Sequence, residues 1–369
     1  MKIRSLNVTK QEVSVMTDAK KSKKRAPNPG RTPSKGASRK KIAIDLHAHI
    51  VFPEAIAFAR KHVVSLAPPK EVLSNPVLLR RSKKLREKME RRFSGVKTRL
   101  RDMDRAGIDV QVLTGSLVHQ YTCWADPEKS LKMEQFINDG IAEIVKSKPD
   151  RFAGLGGVPL QHTPKAIKEL ERCVKDLGLC GVQISSTAGS RELGDRRVFP
   201  FWKKAEELGA LIYIHPAGIT DARYKKYDLW NSIGQPLEEA MAMASLFYEG
   251  VLDQFPKLKI CIAHGGGYLP FYTGRVDRNY RDKPHTRFNM SKSPSRYLRH
   301  FYYDSCVYNL DMFEFLVKKV GANRIILGSD YPVGETDPIG FVRRSRNISA
   351  ADKEKMIWRN AARLLNISV

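Results

Sequence analysis

The chain has 369 residues, 42% of them hydrophobic, enough to bury a large core, and α/β barrels of about 250 residues commonly fold as one unit. It contains no run of about 18 apolar residues and no apolar amino-terminal stretch, which argues against a membrane helix and a secretory signal, so a cytoplasmic protein is expected. The net charge of +26 points to anionic partners, small di-acids as well as nucleic acid.

Cys123, Cys173, Cys180, Cys261 and Cys306 are scattered and odd in number, unlike a disulfide framework. Cys180 and Cys261 lie in apolar runs and read as small buried hydrophobes.

Residues 1–41 hold thirteen Lys or Arg against Glu12 and Asp18, about +11 of the total, and are broken by Pro and Gly. With almost no large apolar side chains such a segment cannot offset its ordering entropy, so a disordered basic tail is predicted. A solvated extension is favoured over a nucleic-acid or targeting arm. The folded domain is expected to span 42–369.

From Ile42 onward short apolar runs alternate with amphipathic stretches. Strands are expected at 42–46, 110–114, 152–158, 180–185, 211–214, 259–263, 301–304 and 324–328. Helices are expected at 128–147, 164–177, 198–208, 237–254 and 310–320. Eight strands separated by helices predict a closed (β/α)₈ TIM barrel. The segment 52–95, with its run LLRRSKKLREKMERRF, is expected to form a helical insertion over the barrel mouth after strand one.

Barrels carry chemistry at the carboxyl ends of their strands. Strand one ends in Asp45-Leu46-His47-Ala48-His49, and residues two apart on an extended chain share a side, so His47 and His49 can both face the mouth. Strand five ends at His215, strand six at His264 before Gly265, Gly266 and Gly267, and strand eight at Asp330. A lone histidine is most often a satisfied polar residue. Four with an aspartate, all at strand ends, match the ligand set of zinc and similar divalent ions and leave a position for water or substrate. The three glycines suit either close approach to a substrate or a tight strand exit.

Taken together, HxH, the strand-five His, HGGG and GSDYP resemble the amidohydrolase superfamily. The stretches RLRDMDRAGIDVQVL (99–113), RFAGLGGVPLQ (151–161), ELERCVKDLGLCGVQI (169–184), FPKLKICIAHGGG (255–267) and RNAARLL (359–365) resemble more narrowly its amidohydrolase-2 branch, which contains 2-amino-3-carboxymuconate-6-semialdehyde decarboxylase. The resemblance implies one divalent ion, zinc or manganese, held by His47, His49, His215 and Asp330. His264 would handle the proton of bound water beside it, and Asp330 would share in catalysis. It further implies a homodimer in which Arg275 reaches a substrate carboxylate across the interface. Trp230 would line the pocket, and Arg91, or its neighbours Arg86 and Arg92, would contact the substrate. Binuclear members bridge two metals from strand four; Gln183 and Ser185 stand there instead, implying a single ion.

The family's Trp-Asp after the strand-five His-Pro is replaced by Ala217-Gly218, so the pocket differs from that of the decarboxylase group. The expected activity is non-oxidative decarboxylation of a small anionic unsaturated or aromatic acid. A hydrolase or hydratase using the same water is the alternative, and an inert barrel that binds nucleic acid through its tail is a third, non-enzymatic reading.

Overall fold

Nine strands run parallel and place their carboxyl ends on one side. The computed structural model describes residues 42–62, 76–116, 125–217 and 221–367, so the expectations for the tail and for Cys123 lie outside it. The strands of the parallel sheets are β1 (Ile44–Ile50), β2 (Val110–Gly115), β3 (Phe152–Gly154), β4 (Gly156–Gly157), β5 (Gly181–Ile184), β6 (Leu211–Ile214), β7 (Lys259–Ile262), β8 (Tyr302–Asp304) and β9 (Ile325–Ile326). Each falls within or across an expected run.

One closed ring was expected, but these nine strands form two parallel sheets, β1-β2-β3 and β9-β8-β7-β6-β5-β4, and a small antiparallel hairpin pairs Thr187–Ala188 with Arg191–Glu192 after β5. The expected strand 152–158 changes partners at Leu155: that residue's N–H still donates to Leu113 O at 2.9 Å, whereas Gly156 already pairs with Val182. At the other junction β9 is only two residues long. There the chains meet through a single Ala48–Tyr331 bridge, with Leu46 N–H donating to Leu327 O at 2.9 Å.

Helices α1 (Pro53–His62), α2 (Pro76–Ser94) and α3 (Val96–Ala106) lie between β1 and β2. Then come α4 (Pro127–Ser147), α5 (Thr163–Lys175) and α6 (Phe199–Leu208). Helix α4 starts where Asp126 accepts from Lys129 N–H at 3.0 Å and Pro127 spares an orphan N–H. The single helix expected over 237–254 is two, α7 (Gln235–Tyr248) and α8 (Val251–Gln254), because Gly250 takes a left-handed φ of 77°. Helices α9 (Thr273–Asp282), α10 (Pro294–Tyr297), α11 (Leu310–Val320), α12 (Pro338–Arg344), α13 (Ala350–Glu354) and α14 (Asn360–Leu365) complete the order. No described helix is long and apolar enough to cross a membrane.

The strands separate two apolar clusters. Ile44, Leu46, Val110, Val112, Leu211, Tyr213, Cys261 and Ile326 pack together with Leu364 and Leu365 of α14. Ile50, Leu113, Val182, Ile212, Ile214 and Ile262 join the helices in the larger cluster. Along β6 the alternation places Leu211 and Tyr213 on the first side, and His215 continues that series. On β1 the register shifts between Asp45 and Ala48. Such a bulge moves the following side chains across the strand, so His47 and His49 share the side of Ile44 and Leu46 although their parity differs.

Candidate metal centre

Five of the expected residues meet at the carboxyl ends of the strands. One ligand atom each from His47, His215, His264 and Asp330 lies within 4.8 Å of all the others. His49 Nε2 stands 3.1 Å from His47 Nε2 and 3.1 Å from Asp330 Oδ1, which is 3.2 Å from His47 Nε2. Donors at about 2.0–2.2 Å from a common ion stand about 3.0–3.5 Å apart, so this spacing fits one divalent cation.

Hydrogen bonds behind the rings decide which nitrogen faces the centre. His47 Nδ1 donates to Asp304 Oδ2 at 2.7 Å. His215 Nδ1 lies 3.1 Å from Pro216 O, a carbonyl that can only accept. Thr114 Oγ1 donates to Ala48 O at 3.2 Å and therefore accepts from His49 Nδ1, also at 3.2 Å. With Nδ1 donating in each ring, the neutral imidazoles would offer Nε2 as the ligand atom to a cation beside the Asp330 carboxylate. Burial, then neighbouring imidazoles, hold His215 well below the ordinary histidine value; burial also keeps His49 low. Neutral rings are what metal ligation requires. In the chain alone, burial lowers His47 but Asp330 and Asp304 outweigh it and raise it to about 9, so a proton supplies the positive charge there.

His264 is braced separately. Its Nδ1 donates to Glu239 Oε1 at 2.5 Å, and its Nε2 lies 3.7 Å from Asp330 Oδ2. Glu239 comes from α7 and is fully buried; burial pushes its carboxyl up to about 7, against the pull of His264. Burial opposes charge on His264, but Glu239 and Asp330 prevail and raise it well above the usual value. The carboxylates therefore favour the protonated ring, the form that can donate. The backbone is left-handed at His264 (φ 47°) and at Asp330 (φ 54°), a conformation that costs a non-glycine residue about 1–3 kcal/mol and gathers at functional sites. Of the two roles open to the glycines, the structure shows the tight exit: Gly267 has φ 59°, and a Cβ there would stand 2.1 Å from Pro236 O.

A second polar layer fixes the strand ends. Asp45 accepts from Ser329 N–H (2.9 Å), Ser329 Oγ (2.6 Å) and Gln111 Nε2 (2.8 Å). Gln111 Oε1 in turn accepts from Arg99 of α3 at 2.8 Å. Arg99 is fully buried, donates to His49 O and stacks 4.6 Å over the Tyr331 ring. One arginine thus ties the first metal-facing strand to the loop carrying Asp330.

The expected substrate contacts do not join the cluster. Arg275 is exposed on α9. Trp230 is half-buried just before α7, its indole donating to Asp228 Oδ1 at 3.2 Å. Arg91 is exposed in the last turn of α2, Arg92 pairs with Asp102 at 3.1 Å, and the Arg86 side chain lies outside the description. Sequence reasoning missed Glu239, Asp304, Arg99 and Thr114. Asp304 could have been found, since it closes FYYD as a carboxylate at a strand end. Glu239 and Arg99 sit within helices and show their part only through tertiary contacts. Cys261 is buried and Cys180 half-buried, and burial raises both thiols, as expected of inert packing residues.

Residues 44–367 match the model of the amidohydrolase family, and the chain belongs to that family. It is 36% identical over 273 residues to 2-amino-3-carboxymuconate-6-semialdehyde decarboxylase of Dictyostelium discoideum, covering 73% of this chain and 76% of that protein. The protein of the same name from Caenorhabditis elegans is 28% identical over 389 residues, covering 90% of this chain and 96% of the relative. Among solved structures, the dihydroxybenzoic acid decarboxylase of Polaromonas with bound manganese and 2-nitroresorcinol superposes with a TM-score of 0.75 at 25% identity, covering 89% of this chain and 97% of that one.

Proposed function

We propose that this member of the amidohydrolase family is a metal-dependent carboxy-lyase that releases CO₂, without oxidation, from an anionic aromatic or unsaturated acid. The observation that carries the reading is the gathering of His47, His215, His264 and Asp330 with His49 Nε2 3.1 Å from Asp330, His264 being braced by Glu239, in a chain whose relatives bear decarboxylase names. His47, His49, His215 and Asp330 would hold one divalent ion. Manganese in the Polaromonas structure makes that metal a candidate beside zinc. When bound, the ion supplies a Lewis acid that polarises oxygen and lowers the pKa of water.

The chain's own residues supply the rest. Decarboxylation breaks the bond between the carboxyl carbon and its neighbour, and that neighbour must gain a proton as CO₂ leaves. His264, whose protonated form Glu239 and Asp330 favour, moves the proton at Nε2, while Glu239 fixes the ring through Nδ1. Arg275 is assigned to a substrate carboxylate, offered across a homodimer interface; its exposure on α9 suits a residue that completes a neighbour's site. Trp230 and the arginines near Arg91 are assigned to the pocket rim. The eight strand runs would close as one (β/α)₈ barrel spanning 42–369, with 1–41 a basic tail outside it.

The test is a screen of purified, metal-loaded protein against carboxymuconate-type and hydroxybenzoate-type acids, followed by ultraviolet absorbance and CO₂ release. Release of CO₂ from either class is expected. Products that have gained water and kept every carboxylate would move the site to the hydratase or hydrolase reading.

A further inference from the structure

At the opposite end of the strands lies a cavity of about 370 Å³ whose charged side chains are all basic: Lys257, Lys259, Lys292, Arg296, Arg299 and Arg324, with His300 among them. Its place in the fold separates it from the metal centre. Lys259 opens β7, which leads to His264; Tyr302, also on the wall, opens β8, which ends at Asp304; Arg324 immediately precedes β9, which leads to Asp330. At about 3.3 Å per residue, the five steps from Lys259 to His264 span ~16 Å.

None of these six cations makes an ion pair among the described residues. Elsewhere on the basic surface some cations are paired, Arg172 with Asp139 and Glu169 and Lys204 with Glu171 and Glu207; here six line one concavity with no carboxylate on its wall. The two nearby carboxylates are already engaged. Asp253 accepts from Ser291 Oγ at 2.6 Å and Tyr297 OH at 2.5 Å, and Glu206 accepts from the Lys257 backbone N–H at 2.6 Å. Aromatic rings underlie two of the cations: Arg324 sits 4.9 Å from the centre of Tyr302, and Lys292 lies 5.8 Å from that of Tyr297. His300 Nε2 is buried without a hydrogen-bond partner among the described residues. Burial and then Arg324 and Lys292 push the His300 pKa down, and Asp253 and Glu206 do not offset them. Like charges gathered around one concavity repel one another and focus a positive potential into it.

We propose that this cavity binds a small anion carrying clustered phosphate groups, at a site separate from the metal centre. Guanidinium forks match phosphate oxygens in pairs and lysines add point charge. The volume suits a compact organic bisphosphate and lies within the range of small-molecule sites, about 300–1,000 Å³. A bound anion would bear on the strands whose other ends carry His264, Asp304 and Asp330, which makes the site a place for an effector.

The experiment is calorimetric titration of the full-length, manganese-saturated protein with fructose 1,6-bisphosphate, a weak chelator, with inorganic phosphate and sulfate as comparators at equal ionic strength. The bisphosphate is expected to bind once per chain, at least about tenfold more tightly than phosphate. Lys292→Glu combined with Arg299→Glu, both exposed positions, is expected to weaken it at least about tenfold while metal content and thermal midpoint stay within about 2 °C of the parent. If that pair fails to fold, Lys257→Ala with Arg296→Ala serves the same purpose. Equal binding by a folded variant would place the anion in the tail or at the metal centre and overturn the proposal. So would bisphosphate heats no larger than those of sulfate, or binding of a single-stranded oligonucleotide without binding of the bisphosphate.

Discussion

The two ends of the same strands use charge in opposite ways. At the carboxyl ends, acids and imidazoles interlock: Asp304 holds His47, Glu239 holds His264, and Asp45 gathers Ser329 and Gln111. At the amino ends of β7, β8 and β9 the wall is basic, and its six cations form no ion pair among the described residues. One end has a negative charge amid lone pairs and calls for a cation. The other has a surplus of cations and calls for an anion. A polar site is therefore recognised less by how many charged groups it holds than by which sign is left uncompensated.

The largest effect should come from removing what the carboxyl end calls for. Chelation is expected to abolish turnover, and elemental analysis of reconstituted protein should give about one divalent ion per chain, as a centre with four protein ligands and an open position predicts. At a thousandfold excess over Kd the ion should add about 4 kcal/mol of stability, read as a rise in thermal midpoint. Full activity in metal-free protein would break the comparison at its root. Next, His264→Ala should keep the ion and lose about 10²-fold or more in kcat, the usual cost of a general acid–base group. Loss of metal along with activity would instead make His264 a ligand, a role its place in the cluster makes worth excluding.

How much of this was legible follows from where each signal resides. The strands were readable because apolar runs recur between amphipathic stretches, and the metal-facing residues because each stands at a strand end, where position in sequence converts directly to position in space. His47 and His49 were assigned to one side by simple alternation, which is sound for the pair. Alternation from Ile44 alone would have turned them away; the register shift before Ala48 restores them. The partner switch at Leu155 and the break at Gly250 depend on pairing and on one backbone angle, neither of which periodicity encodes. Glu239 and Arg99 were hidden for a related reason. In sequence each is an ordinary charged residue of an amphipathic helix, and only packing reveals it as fully buried against the site.

Arg275 lies between the two ends in its logic: an exposed cation assigned to a substrate anion. A lysine cannot reproduce the planar two-bond contact, so Arg275→Lys should lower kcat/KM about tenfold, or about 1.4 kcal/mol of transition-state binding. Mixed Arg275→Ala and His264→Ala chains should regain activity as hybrid dimers, because both lesions then fall in one site and leave the other intact. Verified hybrids without recovery would confine Arg275 to its own chain, and a monomer in solution would remove the interface.

The smallest change tests whether Glu239 tunes His264 or merely fills space. Glu239→Gln keeps the shape and can still accept from Nδ1, so kcat at the optimum should fall only a few-fold, about 1 kcal/mol. The pH dependence should move further. Glu239 raises His264 against the lowering effect of burial, so without the carboxylate the His264 limb of the kcat profile should shift to lower pH. Stability should change in step. Glu239, raised from 4.5 to about 7, contributes stability that is complete below about 4.5 and lost as pH climbs through about 7; His264, also raised, withdraws its share at higher pH still. Both slopes have the same sign, so the Gln variant should lose less stability than the parent between about pH 5 and 9. Denaturant midpoints measured across that range, beside kcat profiles, read both effects. An unshifted limb with a parallel stability curve would reduce Glu239 to packing and leave His264 set by Asp330 alone.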